Sequence, residues 1–198
     1  SIHSFPTRRS SDLKVNHEKK YSIFQITINL TIACFISGLI IAIVYFITAP
    51  VAVKTAAGIK TDAMKSLVVG AQKFNPIKNK PDWFTAEKDG KIVGYVVPAE
   101  SKGYGGAITM LVAVTPQGKI IEFTILESKE TPGLGDNASK DPFRNQFKGK
   151  AVKDLEVTKD PTKTNNIQAM TGATISSKAV TKGIKEAVQE VTQFVGRK

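Results

Sequence analysis

From Tyr21 to Val53 the chain carries no Asp, Glu, Lys or Arg, and nothing else in it constrains the fold as strongly. As a helix, residues 22–49 would extend about 42 Å, more than the roughly 30 Å of a bilayer's hydrocarbon core. The most apolar part, Leu30–Ile47, is by itself long enough to cross. Gln25 and Asn29 sit near one end, where lipid headgroups can satisfy them. Pro50 is expected to mark the exit, because its ring cannot continue the helical ladder. A cleaved signal peptide has an apolar region of only about 7–15 residues, so a retained transmembrane helix is the preferred reading. Lys14, Lys19 and Lys20 precede the span, and Lys54 and Lys60 follow it. The positive-inside rule then favours a cytoplasmic N-terminus, with the remainder of the chain outside the cytoplasm. Residues 1–13, SIHSFPTRRSSDL, show no apolar periodicity and are set aside as a non-native or disordered tail.

The remainder has the make-up of an ordinary folded domain. The 198 residues are 41% hydrophobic and 23% charged, with a net charge of +11. That charge divides into +3 for residues 1–53 and +8 for residues 54–198. The lysines are dispersed, with no Arg-rich helix and no basic stripe interleaved with aromatics, so a nucleic-acid partner is rejected. A solvated lysine-rich surface is the plainer reading. Attraction to an acidic redox partner or to anionic lipid is the alternative. Cys34 is the only cysteine, and His3 and His17 both precede the apolar run. The folded domain therefore has no disulfide, no Cys/His metal cluster, and neither a cysteine nucleophile nor a histidine base.

Beyond the span, Thr55–Phe74 reads as an amphipathic helix with Ala56, Ile59, Ala63, Leu67 and Val68 on one face, closed by Asn75-Pro76. A loop with Lys78, Lys80 and Pro81 follows. Trp83–Lys88 and Lys91–Pro98 flank Asp89-Gly90, a two-residue hairpin signal. Ala107–Thr115 and Lys119–Leu126 flank Pro116-Gln117-Gly118 in a second hairpin. A long loop, Ser128–Asp141, leads to a short helix at Pro142–Phe147. Ser176–Phe194 carries the clearest helical stripe, formed by Ala179, Val180, Ile184, Ala187, Val188, Val191 and Phe194, with Ser176 or Ser177 as N-cap. Antiparallel strands flanked by helices predict an α+β fold.

Three segments carry candidate chemistry. Met170-Thr171-Gly172-Ala173-Thr174-Ile175-Ser176-Ser177-Lys178 sets hydroxyls and a glycine at the entrance of the last helix. Free N–H groups and the positive dipole end there suit a phosphate, although a plain Ser/Thr cap explains the same residues. Glu130-Thr131-Pro132-Gly133-Leu134-Gly135 fixes a tight loop whose backbone can approach a flat ligand, or is simply a turn. Gly103-Tyr104-Gly105-Gly106 offers Tyr104 for stacking, or is a flexible loop.

Taken in order along the chain, the three segments resemble one family: the FMN-binding domain shared by the Rnf electron-transport complex G subunit and the C subunit of the Na⁺-translocating NADH:quinone reductase. The resemblance covers roughly residues 15–198, and the chain's length favours the G type. It implies domains at 22–49 (transmembrane helix) and 55–198 (FMN-binding). It implies FMN joined through its phosphate to the hydroxyl of Thr174 by a separate flavin transferase that takes FMN from FAD. Thr171, Gly172, Ala173, Ile175, Ser176, Glu130, Thr131, Pro132, Gly133, Leu134, Gly135 and Tyr104 are then the expected cofactor contacts. Relatives carry Asp six residues before the modified threonine, where this chain has Gln168. The implied function is electron transfer in a membrane complex that couples ferredoxin–NAD redox exchange to Na⁺ or H⁺ movement. The implied partners are the other membrane subunits, the transferase and membrane lipid, and the implied location is the bacterial inner membrane. A non-redox anchored domain is the rival of another class. The transferase itself is rejected, for want of an acidic Mg²⁺ cluster.

Overall fold

The computed structural model describes residues 22–197, apart from the side chains of residues 53, 54, 56 and 57. The tail at 1–13 and the flanking residues Lys14, Lys19, Lys20 and Lys54 lie outside these limits, as does the side chain of Ala56. The chain divides into two compact units between Ala52 and Val53, and each is taken by itself.

In the first unit, the stretch Ile23–Ala52 is helical and none of its apolar window is buried by protein. It is the one helix among the described residues long and apolar enough to cross a membrane. Its hydroxyls are satisfied internally: Thr27 donates to the carbonyl of Ile23 (3.0 Å), Thr31 to that of Thr27 (2.9 Å) and Ser37 to that of Ala33 (2.8 Å). Such back-bonding hides polar groups that lipid could not solvate. The helix, α1 (Ile23–Leu67), contains Pro50 rather than ending there. A proline removes one donated bond, and the ladder can resume once it is past.

The second unit is built on an antiparallel meander: β1 (Lys73–Ile77), β2 (Lys80–Lys88), β3 (Lys91–Lys102), β4 (Ala107–Val114) and β5 (Ile120–Ser128), in that spatial order. β2 and β3 meet at Asp89 (φ 51°) and Gly90 (φ 73°). Positive φ at both central residues is the requirement of a type I′ turn, whose twist matches that of the strands. After β5 come a 3₁₀ turn (Gly135–Ser139), α2 (Asp141–Arg144), and further 3₁₀ turns at Asn145–Phe147 and Val152–Asp154. A short parallel pair, β6 (Val157–Thr158) and β7 (Ile167–Gln168), precedes α3 (Thr174–Gly196). The α+β reading is borne out.

Alternation along the sheet explains its two covers. In β4, Ile108, Met110, Val112 and Val114 face a core that includes Val180, Ile184, Val188 and Val191 of α3. Leu111 and Ala113 face the opposite core, with Met64 and Leu67 from the end of α1 and Val68 just beyond it. A strand with successive side chains on opposite faces serves both layers. Phe194 of α3 meets Trp83 (5.6 Å) and Tyr95 (6.1 Å) edge-on, closing one end of the first core. Glu122 on β5 accepts from Lys148 (2.8 Å) and Arg144 (3.5 Å), tying the 141–148 segment to the sheet.

Several expected boundaries move. The helix expected over Thr55–Phe74 ends at Leu67, Gly70 turns at φ 87°, and Lys73–Ile77 is a strand. Pro76 and Asn75, read as a helix stop and loop, stand instead in this edge strand, where a missing N–H costs no ladder bond. The final helix begins at Thr174, not at Ser176. Ser176 and Ser177 are buried inside its first turn, and Ala173 is the N-cap, with no side-chain cap bond.

Ile184→Ala should lower the unfolding free energy of the detergent-solubilised chain by about 2–5 kcal/mol, because its side chain is completely buried. Ile92→Ala, at a side chain 39% exposed, should cost well under half as much in the same chemical denaturation measurement.

Candidate functional site

Two turns of the same design bring the glycine-containing segments together. In Thr131–Leu134, the N–H of Leu134 donates to the carbonyl of Thr131 (3.1 Å), with Pro132 second and Gly133 third at φ 77°. In Met170–Ala173, the N–H of Ala173 donates to the carbonyl of Met170 (3.1 Å), with Gly172 third at φ 74°. Positive φ at the third place is the type II requirement. The turns touch: a Cβ on Gly172 would lie 3.1 Å from Leu134 Cδ2.

Glu130 joins the third segment to these two. It is 7% exposed. Its Oε1 accepts the N–H of Gly105 (2.9 Å), and its Oε2 accepts the hydroxyl of Ser176. Glycine is required around it. A Cβ at Gly135 would stand 2.4 Å from Glu130 Oε2, and one at Gly105 would stand 2.0 Å from the carbonyl oxygen of Lys129.

The result is a cleft of about 600 Å³. Gly172, Ala173, Thr174, Ile175 and Ser176 form one wall, and Glu130, Thr131, Leu134 and Gly135 another. Tyr104 and Lys159 complete it. Tyr104 (73% exposed), Ile175 (57%) and Leu134 (43%) are among the few large apolar side chains that the second unit leaves in water. An apolar rim with a few convergent polar groups is the usual form of a cofactor site. Thr171 and Gly133 line a neighbouring hollow of about 510 Å³ instead, and Pro132 lines neither.

The hydroxyls of the 171–177 segment are not equivalent. Ser176 is spent on Glu130. Ser177 donates to the carbonyl of Ala173 (2.9 Å) and accepts the N–H of Met170 (3.0 Å), and it is fully buried. Thr174, half-buried and lining the cleft, shows no side-chain hydrogen bond among the described residues. It is also the first residue of α3, so the N–H groups of Thr174, Ile175 and Ser176 have no partner in the helix ladder. These groups and the cleft's dimensions fit a phosphate carrying a flat aromatic system.

Lys159 is the residue that sequence reading missed. It follows β6, and the β6–β7 ladder (Val157 opposite Ile167, Thr158 opposite Gln168) carries it beside Thr174. Ladders of two residues leave no periodic signal in the sequence. The Asp160 carboxyl lies below the usual carboxylate range, chiefly through the Thr162 hydroxyl and then the Thr162 N–H. Gln168, lying outside the main cleft, donates to the carbonyls of Asp160 (3.0 Å) and Lys163 (3.2 Å) and so pins this loop.

Gly105→Ala should destabilise the chain by about 1–3 kcal/mol, since backbone blocks the new methyl. Gly133→Ala meets open space and should cost only the left-handed backbone penalty of about 1–2 kcal/mol. Thermal melts of both variants check the contrast.

Residues 103–189 match the family model of the FMN-binding domain. Over 177 residues the chain is 63% identical to the G subunit of the proton-translocating ferredoxin:NAD(+) oxidoreductase complex of Clostridium ljungdahlii, covering 89% of this chain and 96% of that protein. It is 43% identical over 110 residues to the G subunit of the Na(+)-translocating ferredoxin:NAD(+) oxidoreductase complex of Acetobacterium woodii, covering 54% of this chain and 53% of that one. The crystal structure of Shewanella oneidensis NqrC superposes with a TM-score of 0.51 at 22% identity, over 65% of this chain and 73% of that one, a likeness of fold. The apolar helix and these relatives support a membrane-anchored protein, with a single span among the described residues. With a cleft suited to a flavin phosphate and near-complete coverage of its relative, the chain belongs to the family of G subunits of the ion-translocating ferredoxin:NAD(+) oxidoreductase complexes.

Proposed function

We propose that the chain is the electron-transfer subunit of a membrane-bound complex that couples ferredoxin–NAD redox exchange to ion movement, and that its FMN is esterified to Thr174. One observation supports the attachment point above the others. Of the two cleft-lining hydroxyls at the entrance of α3, that of Ser176 is buried and bonded inward, whereas that of Thr174 lines the cleft without a bond among the described residues. The Ser177 hydroxyl, behind it, is likewise buried and bonded.

When bound, FMN supplies the electron-carrying chemistry. The protein's part is to bind and orient. The unpaired N–H groups of the first turn of α3 would take the phosphate oxygens, and Lys159 would add a positive charge beside them. Tyr104, Leu134 and Ile175 would cover the ring system and exclude water. Neither histidine of the chain falls in this domain, and a threonine hydroxyl needs a base to act as a nucleophile, which the flavin transferase would supply. In that step a Thr174 Oγ–P bond would replace the pyrophosphate P–O bond of FAD, with AMP as the leaving group and the hydroxyl proton taken up by the transferase.

We take residues 22–49 as the span and 55–198 as the flavin domain, held on the extracytoplasmic side of the inner membrane. The partners are the other membrane subunits, the transferase and lipid. A covalent tether suits a relay station fixed beside such partners, because the carrier cannot diffuse away.

Coexpressed with a flavin transferase, the chain should gain the mass of one FMN less water in intact-mass spectra. Thr174→Ala should abolish that gain while leaving the thermal melt unchanged, and Thr174→Ser should keep part of it. A Thr174→Ala chain that still carries flavin after denaturation refutes the assignment. On the Thr174→Ala background, Lys159→Ala should weaken FMN binding in fluorescence titration by about two- to fivefold, the worth of an exposed ion pair.

A further inference from the structure

Both oxygens of Glu130 are engaged by the protein, by partners that sit next to the cleft's two most exposed apolar side chains. Oε1 accepts from the N–H of Gly105, the residue after Tyr104. Oε2 accepts from the hydroxyl of Ser176, the residue after Ile175. Cβ atoms at Gly103 and Gly135 would lie 2.2 Å and 2.4 Å from these oxygens, so backbone closes around the carboxylate on two more sides. No Lys or Arg pairs with it among the described residues, and a buried carboxylate depends on such hydrogen bonds for its place. Ser176 also lies in the first turn of α3, whose dipole favours an anion there.

We propose that Glu130 is a positioning residue: its carboxylate bridges the backbones that carry Tyr104 and Ile175, and so sets the gap into which the ligand's ring system fits. The ligand's identity rests on the FMN reading, but the bridge lies wholly within the chain and can be tested without flavin. It acts through hydrogen-bond geometry rather than net charge. Glutamine can reproduce it, with the amide oxygen accepting from Gly105 and the amide NH₂ donating to the Ser176 oxygen.

The test uses the full chain in detergent, with and without coexpressed flavin transferase, as wild type, Glu130→Ala, Glu130→Gln and Ser176→Ala. In flavin-free protein, trypsin cleavage after the exposed residues Lys102 and Lys129, which flank the bridged loops, reports the opening of the cleft. Glu130→Ala should be cut about tenfold faster than wild type, the equivalent of one lost charge-assisted bond. Ser176→Ala should be cut severalfold faster, and Glu130→Gln within about twofold of wild type. In flavin-loaded protein, Glu130→Ala should keep the added mass but lose the visible circular dichroism of an ordered flavin, and Glu130→Gln should restore it. Cleavage of Glu130→Ala at the wild-type rate overturns the proposal, as does a Glu130→Gln chain that behaves like Glu130→Ala. Should Glu130→Ala fail to fold, Ser176→Ala decides, and wild-type cleavage there overturns the bridge. A wild-type chain that gains no mass removes the Thr174 assignment, while the cleavage rates still judge Glu130.

Discussion

A carboxylate withdrawn from water has to find donors within the protein, and Glu130 finds them in two segments far from it in sequence. One donor is a backbone N–H 25 residues before it, and the other is a hydroxyl 46 residues after it. Because glycines leave room for the carboxylate on neighbouring sides, strand ends, turn and helix entrance converge on a single side chain. The cleft beside Thr174 is the space that remains once those bonds are made.

The sheet provides the rigid base for that convergence. β4 is buried on both faces, so β3 and β5 are held in register on either side of it. The ends of β3 and β5 in turn launch the two loops that meet at Glu130. Burial of each fully enclosed aliphatic side chain is worth about 1.5–3 kcal/mol. The site's loops, with exposed side chains, contribute far less of this and borrow their order from the layers beneath.

The elements legible in the sequence were those with strong local chemistry. Asp89-Gly90 announces its turn because both residues tolerate positive φ, and Ala179 through Val191 announces a helix because one continuous face is apolar. β1 was hidden, because Asn75-Pro76 signals a break whereas an edge strand accommodates it. The start of α3 was misplaced because serines are usual caps, yet here they are needed inward, one for Glu130 and one for the Met170 turn. The three motifs were legible as segments and, although Thr171, Pro132 and Gly133 do not line the cleft, residues of each do. Their separate duties, Glu130 as a bridge and Thr174 as the open hydroxyl, depend on contacts between distant segments, and Lys159 reaches the site only through a two-residue ladder. No local pattern encodes any of these.

Pro76 in β1 has one more consequence. An outermost strand offers a row of unpaired groups to any other extended chain, and a proline there breaks the row. At the opposite margin, the start of β5 is already engaged: Gly149 donates to the carbonyl of Ile120 (2.8 Å) and Ile120 to that of Lys150 (2.9 Å). Neither margin therefore presents an uninterrupted template for sheet extension. For a domain tethered to a two-dimensional surface, that guards against polymerising with its neighbours.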